Sequence, residues 1–447
     1  MSGLTVITFL VIVYGGIGPG GYGRALALGG ATAAGAAAFV AGTAVPTFYA
    51  VALGALLALL LRGLGDGRAP ALRRVPLPPA APLLIAFLAW SSAVTLLSPL
   101  LFDGAVVVTP EATALRAGVV TSSNLAQMVY LLLGVCVVVY LARSPAATPE
   151  LIGLSVSTAI LLSLWRYLAP IVGLPFPEGL FDNSPSFAYI ETAAGGLQRF
   201  RGIFSEPAAL AGTSLVTIAY MLSRARQVRG WRRTGVLTLA GVAGYLGVIS
   251  TSTTFVVAGL ALTIVAAAVG LLSFLSGRAR PSRAVGVAGC ALVVVGLWIL
   301  PVIVSFASSS VSDKLVSSSY NERSGSNAAS YGVFLDTFGI GVGLGSARAS
   351  AFLPTLLSAT GLVGALLFAA AVVGLVVQGW PVPAYRPVVW ALTALLIVKF
   401  TAGPDLSDTT GMLWMSLGLL SHAVLEKQQS AGGRRAASLT SSARTAT

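Results

Sequence analysis

The chain has 447 residues, of which 56% are hydrophobic and only 9% are charged, and its formal net charge is +13 at pH 7. About a quarter of the residues of an ordinary soluble domain are charged, so this composition excludes a soluble globule and indicates a polytopic membrane protein. In such a protein, basic residues first reflect loops held on the cytoplasmic side, so the positive charge does not predict a nucleic-acid partner.

Apolar segments of roughly the length needed to cross a bilayer recur along the chain. They predict an all-α polytopic fold with twelve or thirteen transmembrane helices, in which residues 1–425 form a single transmembrane domain. The first segment lacks a basic region and a cleavage site, so we interpret it as a retained span rather than a signal peptide. The predicted spans cover residues 4–17, 25–41, 45–61, 82–102, 125–142, 151–172, 207–223, 235–250, 254–275, 284–306, 354–378, 386–400 and 408–424.

The arginine-rich connections predict the orientation of these spans. The connections around residues 62–74, 224–233 and 278–283 hold 12 of the 27 basic residues, and all three fall on one side if the spans are counted in this way. The positive-inside rule puts that side in the cytoplasm. The polar tail, residues 426–447, falls on the same side and is predicted to be disordered because it has no apolar face.

The three longest connections then lie outside the cytoplasmic membrane. They are polar loops that cover residues 103–124, 174–206 and 307–353. The sequence therefore predicts a multi-pass protein of the cytoplasmic membrane whose active site is extracytoplasmic.

Basic residues on the outer side run against this charge bias. A guanidinium group binds phosphate through paired hydrogen bonds, so arginines retained there are candidates for a site that binds a phosphorylated substrate. The outer cations are Arg116, Arg199, Arg201, Lys314, Arg323, Arg348 and Lys399, and Arg166 lies near the outer end of its span.

Structural alternatives remain open for the same side chains. The arginines could form separate salt bridges to Glu191, Glu322 or Asp336, and Arg166 could extend to the outer interface. Glu206 precedes a proline that suits the first turn of a helix, so its carboxylate could cap that helix at the positive end of the dipole.

A glycine-rich stretch, Gly339-Ile-Gly341-Val-Gly343-Leu-Gly345-Ser346, follows in the longest outer connection. No βαβ unit surrounds it and no Lys-Ser/Thr pair follows, so it is not a nucleotide loop. Glycines in an outer loop allow the backbone to approach a ligand or to turn tightly. Gly343, Gly345 and Ser346 are therefore candidate substrate-binding residues.

Neither a metal site nor a hydrolase triad is indicated. The single histidine, His422, lies at the cytoplasmic end of the last predicted span, and no cluster of His, Cys and carboxylate residues has metal-ligand spacing. We expect a site of arginines and carboxylates that uses no metal and no cofactor.

Three motifs resemble, in their order, the O-antigen polymerase and O-antigen ligase superfamily of membrane glycosyltransferases. Arg201-Gly-Ile-Phe-Ser-Glu206-Pro207 is similar to the superfamily's Arg-x-Gly-x-x-x-x-Pro signature, which opens a helix. Glu322-Arg323-Ser324 followed by Gly341 to Arg348 is similar to its large outer loop, and Gly361-Leu-Val-Gly364 to the helix after that loop.

The resemblance implies a GT-C-like fold and an inverting, metal-independent transferase that acts on polyprenyl-diphosphate-linked glycans at the outer face of the membrane. It also implies the bilayer, a chain-length regulator and a flippase as partners. The ligases typically carry a His-Asn pair before the final glycine helix and a Glu two residues before its first glycine. Here Ser350-Ala351 and Ala359 stand at those positions, which favours a polymerase.

The mechanism that follows uses arginines as a clamp on the leaving diphosphate. Arg201, Arg323 and Arg348 are the predicted clamp, and Glu206, in preference to Glu322 and Glu191, is the predicted base for the acceptor hydroxyl. The further candidate substrate-binding residues are Arg199, Glu322, Gly343, Gly345, Ser346 and Arg166.

Two other functions remain open. A ligase would move the glycan to a different acceptor. A transporter or flippase of lipid-linked or anionic solutes would use the same arginines without breaking a bond, and its expected sign is a broken span with ionisable residues.

Overall fold

The computed structural model describes residues 2–17, 21–32, 35–40, 42–65, 78, 80–108, 112–184, 189–191, 198–277 and 318–444. In these ranges the chain is mostly helical, which confirms the predicted helical fold, and its strands form two short antiparallel hairpins.

Seven helical segments of the described chain are long and apolar enough to cross a membrane. The helices of the described chain are α1 Gly3–Ile17, α2 Gly21–Thr32, α3 Thr47–Gly65, α4 Ala80–Leu101, α5 Ser122–Arg143, α6 Glu150–Val172, α7 Glu178–Phe181, α8 Pro207–Ala225, α9 Trp231–Ile249, α10 Thr253–Leu275, α11 Ser318–Asp336, α12 Phe352–Gly379, α13 Arg386–Ala402 and α14 Met412–Arg444. The seven apolar segments are α4, α5, α6, α8, α10, α12 and the segment that joins a 3-10 helix, Pro383–Tyr385, to α13. The strands are β1 Ala37–Val40 with β2 Thr43–Pro46, and β3 Val106–Val108 with β4 Ala112–Ala114.

The span predicted over residues 25–41 is wrong. Helix α2 ends at Thr32, and the chain then forms the β1–β2 hairpin. The apolar residues Ala36, Ala37 and Ala38 are almost completely buried by other parts of the protein. Their apolar character therefore reflects burial inside the fold rather than contact with lipid.

Two predictions concern the C-terminal third of the chain. The span predicted over residues 284–306 lies outside the described residues. The last helix, α14, continues to Arg444, whereas the sequence predicts disorder from residue 426.

The first half of α14 forms the centre of the helix packing. It is almost entirely buried from Met412 to Leu425, and it packs along α5 and against α12 and α13. Helix α4 packs along α12, and α8 packs between α9 and α13. This arrangement brings the ends of successive helices together in a single bundle.

Connections that the sequence places outside the membrane meet at one end of this bundle. Ser123, at the start of α5, donates a hydrogen bond from Oγ to the carbonyl oxygen of Gly345 at 3.2 Å. Arg199 donates from Nε to Oγ1 of Thr251 at 3.3 Å and lies close enough to Arg323 of α11 to interact with it electrostatically. The described residues of the connections that meet there are named the loop end below; they are residues 102–108, 112–121, 173–184, 189–191, 198–206, 250–252, 337–351 and 403–411.

Helix α12 is broken near its start. The span predicted over residues 354–378 matches this helix, which begins at Phe352, but Gly361 interrupts the helix with φ 67° and ψ −174°. The break frees the carbonyl oxygens of Ser358 and Ala359, which accept hydrogen bonds at 2.8 and 3.0 Å from the backbone N–H groups of Val342 and Gly343. The glycine-rich stretch is thus joined to α12 by backbone hydrogen bonds.

The longest outer connection contains a helix, α11, which packs against α12. Oδ1 of Asn327 accepts hydrogen bonds from the backbone N–H groups of Ser350 and Ala351 at 3.0 and 3.1 Å. Helix α12 has no capping side chain of its own, so α11 supplies this contact just before its N-terminus.

Candidate functional site

Arg201 and Arg166 belong to a network of ion pairs at the loop end. Arg201 donates from Nε to Oε1 of Glu191 at 2.8 Å and from Nη1 to Oδ1 of Asp182 at 2.9 Å. Arg166 donates to both oxygens of the same Asp182 carboxylate, at 3.0 Å each. The Arg201 side chain is only 4% exposed. Both guanidinium groups are therefore already neutralised by carboxylates. This agrees with the alternative interpretation of the sequence, in which the outer arginines form salt bridges.

The same network holds the connection before α8 in position. Arg201 also donates to the carbonyl oxygen of Phe204 at 2.7 Å, and Arg166 donates to that of Gly202 at 3.0 Å. Burial opposes ionisation of Asp182, but hydrogen bonds from Arg201 and Arg166 outweigh it and hold the pKa of Asp182 below its usual value. These contacts give Arg201 and Arg166 a structural role.

Arg199 and Arg323 are a second, differently placed pair, named the arginine pair below. Neither makes an ion pair within the described part of the chain. Partial burial and the positive charge of Arg323 lower the pKa of Arg199, and the nearby Glu206 opposes that shift. Among the described residues, these two guanidinium groups interact with each other and with one carboxylate, so one positive charge is in excess among the three groups and favours an anionic ligand.

Glu206 is the N-cap residue of α8, as the sequence predicts, but its side chain makes no capping hydrogen bond. The residue is half-buried, and its carboxylate makes no ion pair or hydrogen bond with the described residues. The carboxylate is therefore available to act on a substrate beside the arginine pair.

A cavity of about 850 Å³, named the arginine cavity below, opens at the C-terminal end of α6. Its lining includes Arg166, Arg199 and Arg201, together with Phe176 and Glu191. Because Arg166 and Arg201 are paired with carboxylates, Arg199 is the lining arginine that has no ion-pair partner in the described chain.

A separate cavity of about 840 Å³, named the hairpin cavity below, lies between the β3–β4 hairpin, the start of α5 and residues 344–348. Arg348, Gly345 and Ser346 line it. Arg348 is 62% exposed and contacts Oδ1 of Asp405 at 3.2 Å.

The structure does not assemble the predicted three-arginine clamp in one cavity. Arg201 lines the arginine cavity, Arg348 lines the hairpin cavity, and Arg323 is in the lining of neither. The predicted residues Arg199, Arg323 and Glu206 do come together.

The glycine-rich stretch lies against helices rather than open space. Gly343 has φ +90°, and a Cβ atom added there would come within 2.6 Å of the Thr95 backbone in α4. Ser346 is 7% exposed, and its Oγ accepts a hydrogen bond from Nδ2 of Asn124 at 2.8 Å. Gly343 and Ser346 thus serve packing, while Gly345 lines the hairpin cavity through its backbone.

Glu322 lies in the first turns of α11, and the position of its side chain is outside what the structure describes. Among the described residues, no group of three or more His, Cys, Asp or Glu side chains is arranged to hold a metal ion.

Sequence reasoning missed three carboxylates that organise the loop end: Asp182, Asp405 and Asp408. Nζ of the buried Lys399 donates to the backbone oxygen of Asp405 at 2.7 Å and lies 3.4 Å from Oδ1 of Asp408. Asp408 also accepts a hydrogen bond from the backbone N–H of Leu413, in the first turn of α14. In the sequence, Asp182 lies in one of the three longest predicted connections, Asp405 lies in the short connection between the last two predicted spans, and Asp408 begins the last predicted span.

Comparison with known proteins finds no matching family model, no matching curated protein and no matching solved structure.

Proposed function

We propose that the protein is a membrane glycosyltransferase that polymerises polyprenyl-diphosphate-linked repeat units, of the kind that build O-antigen, capsule or exopolysaccharide. The observation that carries the proposal is the arginine pair beside the unpaired Glu206 carboxylate. A diphosphate between Arg199 and Arg323 would relieve their mutual repulsion and would meet two sets of N–H donors suited to phosphate oxygens.

The proposed setting is the cytoplasmic membrane, with the loop end on the outer face. The twelve predicted spans that remain without residues 25–41, in a GT-C-like arrangement, belong to this proposal. It is supported by the seven apolar helices and by the arginine-rich connections of the sequence. A polyprenyl-diphosphate-linked glycan would be held with its lipid in the bilayer. A chain-length regulator and a flippase are the proposed protein partners.

The proposed reaction inverts the anomeric carbon. A hydroxyl oxygen of the acceptor sugar attacks that carbon, and the bond to the diphosphate oxygen breaks with its electron pair leaving on the diphosphate. Glu206 takes the hydroxyl proton, and the arginine pair stabilises the negative charge on the departing diphosphate. These steps need no metal ion or nucleotide.

The other predicted residues take different parts in this proposal. Arg201 and Arg166 are positioning residues, since their contacts with Asp182 hold the chain that leads to Arg199 and Glu206. Arg348 and Gly345 act at the hairpin cavity, away from the diphosphate.

The experiment uses purified protein in detergent, an extract of polyprenyl-diphosphate oligosaccharides, and EDTA. The glycans are then separated by length. A ladder of longer lipid-linked chains is the expected result. Transfer of the glycan to a different acceptor would make the protein a ligase and would overturn the polymerase.

The broken helix favours a transporter as the second candidate. Its break at Gly361 and the buried Lys399–Asp408 ion pair are features of transport proteins with discontinuous helices. If the glycan binds but neither its length nor its bonds change, the transporter replaces the transferase. Movement of lipid-linked glycan across vesicles that contain the protein would then be measured.

A further inference from the structure

Most neutral polar side chains of the hairpin cavity are already occupied by the protein. Asn124 donates from Nδ2 to the carbonyl oxygen of Leu344 at 2.6 Å and to Oγ of Ser346 at 2.8 Å. Ser123 uses its hydroxyl on the carbonyl oxygen of Gly345. These groups shape the cavity wall and have little hydrogen-bonding capacity left for a ligand.

The groups that remain for a ligand are mainly hydrogen-bond donors. The Arg116 guanidinium makes no ion pair or hydrogen bond within the described residues, and neither does the Gln127 amide. Arg348 contacts Asp405 through Nη2 and keeps its other N–H groups. A guanidinium group only donates, so a cavity with two of them suits a ligand rich in acceptors, such as a carboxylate or a phosphate.

The charges around the cavity select for the same kind of ligand. Among the described lining residues, Arg116 and Arg348 supply two positive charges and Asp405 is the one carboxylate, so one positive charge remains in excess among them. Asp405 also fixes Arg348 at the cavity. The backbone of Asp405 is held in turn by the ammonium group of Lys399.

The size of the cavity suits a ligand larger than a free ion, and the proposed function supplies a sugar of that size. Its volume of about 840 Å³ is within the range of roughly 300–1,000 Å³ that is usual for small-molecule sites. Aliphatic side chains such as Val107, Leu115 and Leu406 form part of the wall, and none of the described lining side chains is aromatic. An inorganic anion would leave most of this space unfilled.

We propose that the hairpin cavity binds the glycan part of a substrate through a sugar that carries an oxyanion, either a carboxylate or a phosphate substituent. This inference rests on the proposed function for its glycan, but the cavity is distinct from the arginine pair that takes the diphosphate. The protein is therefore selective for acidic glycans, with Arg116 and Arg348 as the residues that determine this selectivity.

The test measures binding of free trisaccharides to the purified full-length protein in detergent by isothermal titration calorimetry. The probes are a trigalacturonate, a galactose trisaccharide without charge, and a trisaccharide with one phosphate group. They lack the polyprenyl diphosphate, so their binding does not depend on glycosyl transfer. The variants are Arg116→Ala, Arg348→Ala, and Arg229→Ala as a control at an exposed arginine outside the loop end.

We expect the acidic probes to bind at least about tenfold more tightly than the neutral one, the order of one or more charged hydrogen bonds. Preference for trigalacturonate or for the phosphorylated probe identifies the oxyanion. Arg116→Ala and Arg348→Ala should each weaken the binding of the acidic probes about tenfold and make it less sensitive to salt. Arg229→Ala should leave it unchanged.

Equal binding of the acidic and neutral probes would overturn the inference. Unchanged affinity for the acidic probes in both Arg116→Ala and Arg348→Ala would also overturn it. The same holds if Arg199→Ala and Arg323→Ala lose trigalacturonate binding while the two cavity variants keep it. Acidic binding of the expected kind without any chain elongation in the lipid-linked assay would retain the cavity and reject the transferase. Elongation of the lipid-linked glycans without tighter binding of the acidic probes would retain the transferase and reject the acidic-glycan site in the hairpin cavity.

Discussion

Arg199 and Arg201 are separated by one residue, yet they have opposite electrostatic surroundings. Arg201 is 4% exposed and is neutralised by Asp182 and Glu191. Arg199 has no ion pair in the described chain, and its nearest charged influence besides Glu206 is another arginine, Arg323.

The difference separates arginines that build the site from those that are free to act in it. A buried ion pair contributes through its geometry, and removal of one partner leaves an uncompensated charge. A pair of like charges without carboxylate partners contributes little to folding and is stabilised by an anionic ligand. Burial and partners, rather than membership of a sequence motif, therefore decide which arginine contacts substrate.

The largest expected effect is on the stability of the buried network. Arg201→Ala should lower the free energy of unfolding by about 3 kcal/mol, because its hydrogen bonds to Asp182, Glu191 and the carbonyl oxygen of Phe204 are lost while Arg166 still pairs with both carboxylates. Thermal unfolding of the purified variant in detergent measures this, with Arg199→Ala as the matched control of near wild-type stability. An Arg201→Ala protein that is as stable as wild type but inactive would instead place Arg201 in contact with substrate.

The next effect concerns the carboxylate beside the arginine pair. Glu206→Gln keeps the size of the side chain but removes the base, so the rate of chain elongation should fall by about 10²–10⁴-fold with little change in substrate binding. Glu426→Gln is the control, since Glu426 is an exposed carboxylate outside the loop end. Wild-type elongation by Glu206→Gln would exclude this residue as the base.

A smaller loss is expected from the arginine pair itself. Arg199→Ala and Arg323→Ala should each slow elongation by about 10²-fold, the usual cost of one lost electrostatic contact to a charged transition state. Their thermal stability should stay close to wild type, and Arg323→Lys should restore part of the rate. If both variants elongate glycans normally, the diphosphate is bound elsewhere.

The smallest effect is a dependence of stability on pH. The pKa of Asp182 is lowered in the folded state, so its stabilising contribution is complete above the ordinary aspartate pKa of about 3.9 and is lost as the pH falls towards the lowered value. The stability difference between wild type and Asp182→Asn should thus be largest near neutral pH and should narrow below about pH 4. A difference that stays constant across this range would argue against the ionised Asp182.

Much of the helical framework could be predicted from hydropathy because a continuous apolar run leaves few alternatives. Predicted spans such as 82–102 and 151–172 match α4 and α6 closely. The prediction over 25–41 failed because composition alone does not distinguish an alanine buried by protein from one that faces lipid. Helix α11 was not predicted because it lies in a polar connection and contains no apolar run of the kind that indicates a span.

The site was predictable in its residue types but not in its partners. The outer arginines were recognisable from their conflict with the charge bias, and Glu206 from the proline that follows it. The contacts of Asp182 with Arg166 and Arg201 bridge sixteen and nineteen residues, so they depend on how the connection folds back onto α6. The packing of Gly343 on α4 likewise depends on a contact between distant segments.

The break at Gly361 makes the start of α12 depend on an earlier part of the chain. Nine residues of the helix precede the break, or roughly 13 Å. The carbonyl groups that the break frees would each cost about 1–3 kcal/mol if they were buried without a hydrogen-bond partner. The first part of α12 is therefore stable only after residues 339–343 have folded against it, so the two segments must fold as one hydrogen-bonded unit.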